Sequence, residues 1–507
     1  MHSIGNQIGS KVRNLAQMGR PAVEIELRDP HGAHGSYVTS YSTMDRLEGT
    51  VSITADRDTR FEDIEIAFIG VSKTYVDRLT STPSLSGRTE ATHRFLKLTQ
   101  PIDQSSLPQP RIAVAGKTYK FPFTFVIPRH LLPRACVHKT ASDHVRETHL
   151  QLPPSLGDPE LAGHGGTLLD DLAPEMSRIT YGVKVRITQL RDTDGLTVIL
   201  QDKMKKVRVK PAFEEQPPVN VDAKDETYRL RQEKTIRKGM FKGKMGSLVM
   251  ECMQPKALCI PGARSSSSGP ITTMAKVQLR FDPSDDSSLP PRLGSLVTKM
   301  KVATYFSSSP RHNFPNRNTM TYDLTQGYYS EMVPLSTLCV GSAQWEKHSS
   351  EASPALARRD SGISDCSSTT SSATPYASKT YSGKTFYTAN IIVPITLPST
   401  KNFVPTFHSC LISRVYLLSL NLSVHAPGVG DPSLQLRVPV QISAKGSESG
   451  EANFLASRIE SLALEDADAM WQPRSVAPPR QEFARAEAPR GGDAPPEYAF
   501  FAPGPLR

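Results

Sequence analysis

From Val23 to Ile442 the chain is written in short stretches where apolar and polar residues alternate, each ended by Gly, Pro, Asp or Asn. A period of two puts successive side chains on opposite faces of a strand and gives a helix no apolar stripe, so the pattern restricts the fold to the all-β class. V-E-I-E-L (23–27), G-T-V-S-I-T-A (49–55), I-E-I-A-F-I-G-V (64–71), Y-K-F-P-F-T-F-V-I-P (119–128) and I-T-Y-G-V-K-V-R-I-T (179–188) read as strands. In the last, Tyr181, Val183, Val185 and Ile187 share one face while Lys184 and Arg186 take the other, as a half-solvated antiparallel sheet requires. Two such sheets face to face, a sandwich, bury every apolar face.

The basic stretch K-M-K-K-V-R-V-K (203–210) closes this series, and the polar, proline-bearing residues that follow it predict a short hinge. A second series then covers 238–252, 275–281, 295–306, 386–397, 410–424 and 434–442. With 507 residues, two large sandwiches fit the length. The expected division is a basic amphipathic segment at 1–20, a first sandwich at 21–210, a second at 211–445, and a tail at 446–507. Residues 349–382 hold eleven serines and four threonines and almost no large apolar residue, so a disordered insert is expected at about 346–382. A helix is expected from about Glu451 to Trp471, with Phe454, Ile459 and Leu462 on one side, and a proline-rich, coreless stretch follows from Pro473.

The 60 basic and 50 acidic residues leave a formal charge of +10, which permits contact with phosphates or acidic lipid without arguing for nucleic acid. The six cysteines show no C-x-x-C pair and no C…H-x-x-x-H spacing, so a reducing compartment and no structural metal are expected. The best apolar run, Val415 to Leu420, is far shorter than the roughly 18 residues a spanning helix needs. Three readings fit the acid-free N-terminus, where Ile4, Ile8, Val12, Leu15 and Met18 form one helical face: a helix docked on the first sandwich, a membrane-surface helix, and a transit peptide.

Two parts of the first series carry a family likeness. G-K-T-Y-K followed by F-P-F-T-F-V-I-P-R-H-L-L-P (121–133) resembles the strand-and-turn signature of arrestin N-terminal domains, and F-E-D-I-E-I-A-F-I-G-V-S-K-T (61–74) is similar to the pattern that precedes it there. F-V-P-T-F-H-S-C-L-I-S-R-V-Y-L-L-S-L-N-L-S-V (403–424) is similar to a late strand pair of the arrestin C-terminal domain. The resemblance is to fungal α-arrestins and spans about residues 21 to 445. It implies two immunoglobulin-like β-sandwiches joined by a hinge, no enzymatic activity and no cofactor. It also implies a cytoplasmic adaptor, recruited to the plasma membrane or endosomes, that binds membrane transporters or receptors and brings a HECT-type ligase to ubiquitinate them. Such ligases dock their WW domains on P-P-x-Y. Pro495, Pro496, Glu497 and Tyr498 match that motif in a single copy.

The tail motif also stands on its own chemistry. Paired prolines hold a polyproline II backbone that suits an aromatic-lined groove, and a tyrosine two places on can enter a neighbouring pocket. In A-R-R-D-S-G-I-S-D (357–365), Arg358 and Arg359 precede Ser361 at the spacing a basophilic kinase reads, marking a candidate phosphorylation site in the insert. Lys205, Lys206 and Arg208 in the first half, with Arg237, Lys238, Lys242 and Lys244 in the second, are candidate contacts for phosphate groups or an anionic membrane surface. The other reading makes them the solvated faces of strands. No stacking aromatics interleave them, so nucleic acid is not expected.

G-H-G-G-T (163–167) lacks the spacing of a dinucleotide or phosphate loop, and His31 and His34 read as a hairpin tip. No hydrolase or metalloprotease motif is found, so an enzyme is not expected. The alternative to a ligase adaptor is a trafficking or signalling scaffold of the same fold in which the tail motif is incidental.

Overall fold

The computed structural model describes residues 20–28, 40–78, 87–161, 169–221, 225–238, 243–263, 269–285, 287–320, 323–349, 374–379, 381–425, 432–456 and 458–459. The expected N-terminal helix, His31, His34, the 163–167 turn, Ser361, Lys242 and the Pro495–Tyr498 motif lie outside these residues.

The first series folds into two sheets. One joins Ala22–Arg28, Arg46–Thr54 and Thr118–Val126 in that order, all antiparallel. The other runs Ser40–Tyr41, Thr197–Val209, Ser177–Leu190, Asp63–Arg78, Gly87–Gln100, antiparallel except at its two-residue first strand. The two sheets face each other across an aromatic layer: Phe68 lies 6.0 Å from Phe125 of the opposite sheet and 6.0 Å from Tyr181 of its own. Alternation sets which residues enter it. Tyr181, Val183 and Val185 are fully buried, while Lys184 and Arg186 on the outer face share Asp202 at 2.9 and 3.5 Å. Pro122 cannot donate a ladder hydrogen bond, and it sits where none is needed, on the edge strand of the three-stranded sheet.

The Tyr181 hydroxyl solves the problem of a polar group in this core by donating to the buried Pro153 carbonyl at 2.5 Å. Tyr181→Phe keeps the ring and orphans that carbonyl, so it is expected to destabilise by about 1–2 kcal/mol, read as a lower urea midpoint with unchanged slope.

The second series repeats the arrangement with different connections. One sheet orders Arg231–Arg237, Lys244–Cys252, Thr272–Pro283, Thr385–Thr396 and Glu346–Ser349. The other orders Gln326–Cys339, Arg292–Ser307, Ile412–His425 and Phe407–His408, with Ser433–Val440 also paired to Ile412–His425. Leu248, Met250, Val277, Leu279 and Phe281 of one sheet and Met300, Leu418, Leu420, Leu436 and Val438 of the other belong to the common hydrophobic core. The chain is thus all-β apart from short helices, among them Asp143–His149 and a helical stretch at 448–456. No helix among the described residues is long and apolar enough to cross a membrane.

Two expectations need correction. Composition predicts a disordered insert at about 346–382, but Glu346–Ser349 is a strand paired with Thr385–Thr388. At its far end, Ser378 N donates to Asp282 at 2.7 Å and Arg280 donates to the Pro375 carbonyl at 3.0 Å. A buried Arg280–Asp282 pair, with Phe386 3.8 Å from the guanidinium, gives that polar segment the partners its composition does not reveal.

The residues after 210 also do more than join. Phe213 and Ala444 exchange backbone hydrogen bonds at 2.9 Å, and the Gln441 side chain accepts from Gln216 N and donates to the Gln216 carbonyl. The connection is zipped onto the end of the second series. Both series belong to one compact unit that runs to Leu455.

Candidate functional site

A charged region with buried Arg414, Arg208 and Asp171 at its centre lies where the two series meet. Arg414 stands on Ile412–His425 in phase with the buried Ile412, Tyr416 and Leu418, so the strand turns a guanidinium inward where its neighbours turn hydrocarbon. It is fully buried and donates to the backbone carbonyls of Asp171 at 3.0 Å and Leu172 at 3.2 Å, both in the first half. Those carbonyls are presented by an irregular turn. Leu172 has a left-handed backbone at φ 59°, which costs on the order of 1–3 kcal/mol for a non-glycine residue and survives only when its surroundings hold it.

The turn is held from several sides. The Asp171 carboxylate accepts from Gly157 N at 2.7 Å and Ala173 N at 3.1 Å, and Asp170 accepts from Leu172 N at 2.8 Å and from Lys401 Nζ at 2.8 Å. Lys401 also lies 3.7 Å from Glu331. Burial raises the Asp171 pKa, and its amide partners and Arg414 act against that rise. Arg208 is the third cation. It is buried, and desolvation draws its pKa down to about 10 with Asp171 opposing. Arg208 Nε and Nη2 and Arg414 Nε meet no acceptor among the described residues. Arg208, Arg414 and Lys401 thus balance Asp170, Asp171 and Glu331 in charge while leaving donors over, so the seam is electrostatically matched but not saturated. Direct links reinforce it: Thr74 Oγ1 donates to the Ser307 carbonyl at 2.6 Å, and Ala141 N to the His312 carbonyl at 2.9 Å.

The predicted basic surface is reorganised by these contacts. Arg208 lies inside the seam instead of on a surface, and Lys206 is engaged by Asp158 at 2.9 Å and Glu160 at 3.0 Å. Lys205 is exposed on the same strand. Arg237 and Lys244 are exposed on a different sheet, where Lys238 pairs with Asp285 at 3.0 Å. The two basic stretches therefore belong to separate sheets, and within the first only Lys205 remains an exposed candidate contact.

Elsewhere on the seam the fold assembles a cluster that no sequence spacing marks. Cys136, His138 and His149 of the first half meet Cys410 of the second, and their ligand atoms all lie within 4.8 Å of one another. Burial holds the His149 pKa down to about 4, with His138 and Arg311 contributing in the same direction.

No protein-family model matches the chain, and no curated protein matches it.

Proposed function

We propose that the chain is a non-enzymatic adaptor of the α-arrestin type, which binds membrane transporters or receptors and recruits a WW-domain HECT-type ubiquitin ligase through Pro495, Pro496 and Tyr498. The observation that carries this reading is the pair of antiparallel sheet sandwiches in chain order, joined by a short connection and bolted together through Arg414. That is the frame the resemblance implies, and the tail after it holds P-P-E-Y.

The two sandwiches offer strand edges, such as Gly87–Gln100 and Gln326–Cys339, on which a cargo segment could dock. Ligase recruitment is assigned to the tail, since a polyproline II segment binds with little further ordering. A single motif gives no second contact for avidity, so binding to one isolated WW domain should be modest and should strengthen little with tandem domains.

The test compares intact chain with chain ending before Pro495. Isolated WW domains should retain the first and not the second, and cargo ubiquitination in cells should fall with the truncation. Equal retention of both would reject ligase recruitment through this motif. In that case the scaffold reading takes its place.

Ser361 supplies the expected control point, because Arg358 and Arg359 mark it for a basophilic kinase. Phosphopeptide mapping should find it modified, with Ser361→Ala and Ser361→Asp moving cargo ubiquitination in opposite directions. Full coverage of the segment with Ser361 always bare would end that idea.

A further inference from the structure

We infer that Cys136, His138, His149 and Cys410 form a tetrahedral zinc site that fastens the two halves of the chain together. Two thiols and two imidazoles are a donor set that suits zinc, and four protein ligands are what a closed structural site requires. The spacing fits as well. Zinc–sulfur bonds of about 2.3 Å and zinc–nitrogen bonds of about 2.0–2.1 Å at the tetrahedral angle place sulfur and nitrogen about 3.6 Å apart. Cys136 Sγ lies 3.3 Å from His138 Nε2 and 3.8 Å from His149 Nδ1, and all four donor atoms fall within 4.8 Å of one another.

The surroundings aim the donors. His138 Nδ1 lies 3.2 Å from the Lys139 carbonyl, which fixes its proton there and leaves Nε2 free toward Cys136, the outer contact that metal-bound histidines usually make. His149 ends the helix Asp143–His149, whose start is capped by Ser142 accepting from Val145 N. Cys410 sits in a tight turn in which Ser409 N donates to the Ile412 carbonyl at 2.8 Å, and its own carbonyl accepts from Arg311 N at 3.0 Å. Cys136, His149 and Cys410 are each no more than 3 % exposed.

Charge also closes. Each thiol releases its proton to solvent on binding while the imidazoles bind neutral, so two thiolates and one divalent ion make a neutral buried centre. Three ligands come from residues 136–149 and the fourth from the opposite half, so the ion would tie together chain segments that no C-x-x-C motif joins.

The full-length chain, purified with reductant, would be titrated with zinc chloride against a chromophoric zinc indicator. The expected result is uptake of one zinc per chain, a thermal midpoint raised by zinc, and, with cobalt(II) in its place, the intense visible bands of a tetrahedral thiolate site. Cys136→Ser and Cys410→Ser should each weaken uptake at least tenfold. Cys259→Ser and Cys339→Ser, at exposed cysteines away from the cluster, should leave it unchanged. Should the serine variants fold poorly, Cys410→His keeps four ligands and should retain one zinc per chain. Failure of wild-type chain to compete with the indicator, or undiminished uptake by a folded Cys410→Ser variant, would overturn the site. So would a Cys136–Cys410 disulfide in peptide maps of chain taken from cells under thiol-blocking conditions.

Discussion

Arg414→Ala will lower the unfolding free energy by about 3–5 kcal/mol, the range expected when one partner of a buried charged network is removed. Three losses act together. The substitution removes charge-assisted bonds to the Asp171 and Leu172 carbonyls, which are buried and have water to replace them only if the seam opens. It withdraws the cation that opposes desolvation of the Asp171 carboxylate. It also empties the volume of the largest fully buried side chain in the molecule's described part. Arg414→Lys should recover only part of the loss, because an ammonium cannot reach two carbonyls with a fixed fork. Urea unfolding of full-length chain gives the measurement, with Arg88→Ala as control: its exposed pair with Asp77 should leave the midpoint unchanged. If the two variants shift the midpoint equally, the seam is not what holds the Leu172 turn.

The second large effect concerns binding. Tyr498→Ala in a tail peptide should weaken affinity for isolated WW domains by about tenfold to over a hundredfold, the equivalent of the 1.5–3 kcal/mol that a fully buried aromatic contributes. Paired prolines restrict a peptide backbone before any encounter, so most of what remains to be gained comes from the ring. Glu497 occupies the variable position, and Glu497→Ala should change affinity little. Calorimetric titration of the three peptides is the check. Equal affinity for wild-type and Tyr498→Ala peptides would remove the chemical basis of ligase recruitment. On the proposed adaptor function, full-length Tyr498→Ala in cells should still bind a membrane cargo and leave it unmodified at the surface.

Alternation made most of the sheets legible. Residues 179–188 gave their buried and solvated faces correctly because one face packs on the core and the other meets water. Gly87–Gln100 escaped because it is an edge strand of Arg, Glu, His and Thr whose only buried hydrophobic residues are Phe95 and Leu96, so no apolar rhythm marks it. Gln326–Cys339, at the edge of its sheet, escaped in the same way.

The seam did leave a trace. Arg414 breaks an otherwise inward-facing row of Ile412, Tyr416, Leu418 and Leu420, and a charge at a core position of a strand asks for a buried partner. Who that partner would be could not be read, since Asp171 and Leu172 lie in the other half and are brought there by tertiary packing. The Cys136–Cys410 cluster was illegible for the same reason: its motif is completed by folding, not by spacing. Arg208 is the opposite case: it looks like one more solvated cation in a basic run in which Lys205 is exposed and Lys206 paired.

The stretch just before Leu455 has a mechanical meaning. Ser447 and Ser449 donate to the Asp45 carboxylate, Asn453 donates to the Met44 carbonyl at 3.0 Å, and Phe454 lies under Arg129. All these anchors are in the first half, although the strand they follow belongs to the second. Tension applied at Leu455, as by a partner pulling on the tail, therefore loads the first half before it can peel Ser433–Val440 from its sheet. The Phe213–Ala444 backbone pair, next in line, would carry the remaining load back to the connection between the halves. A pull on this end would press on the joint and leave both sandwiches folded until these anchors yield.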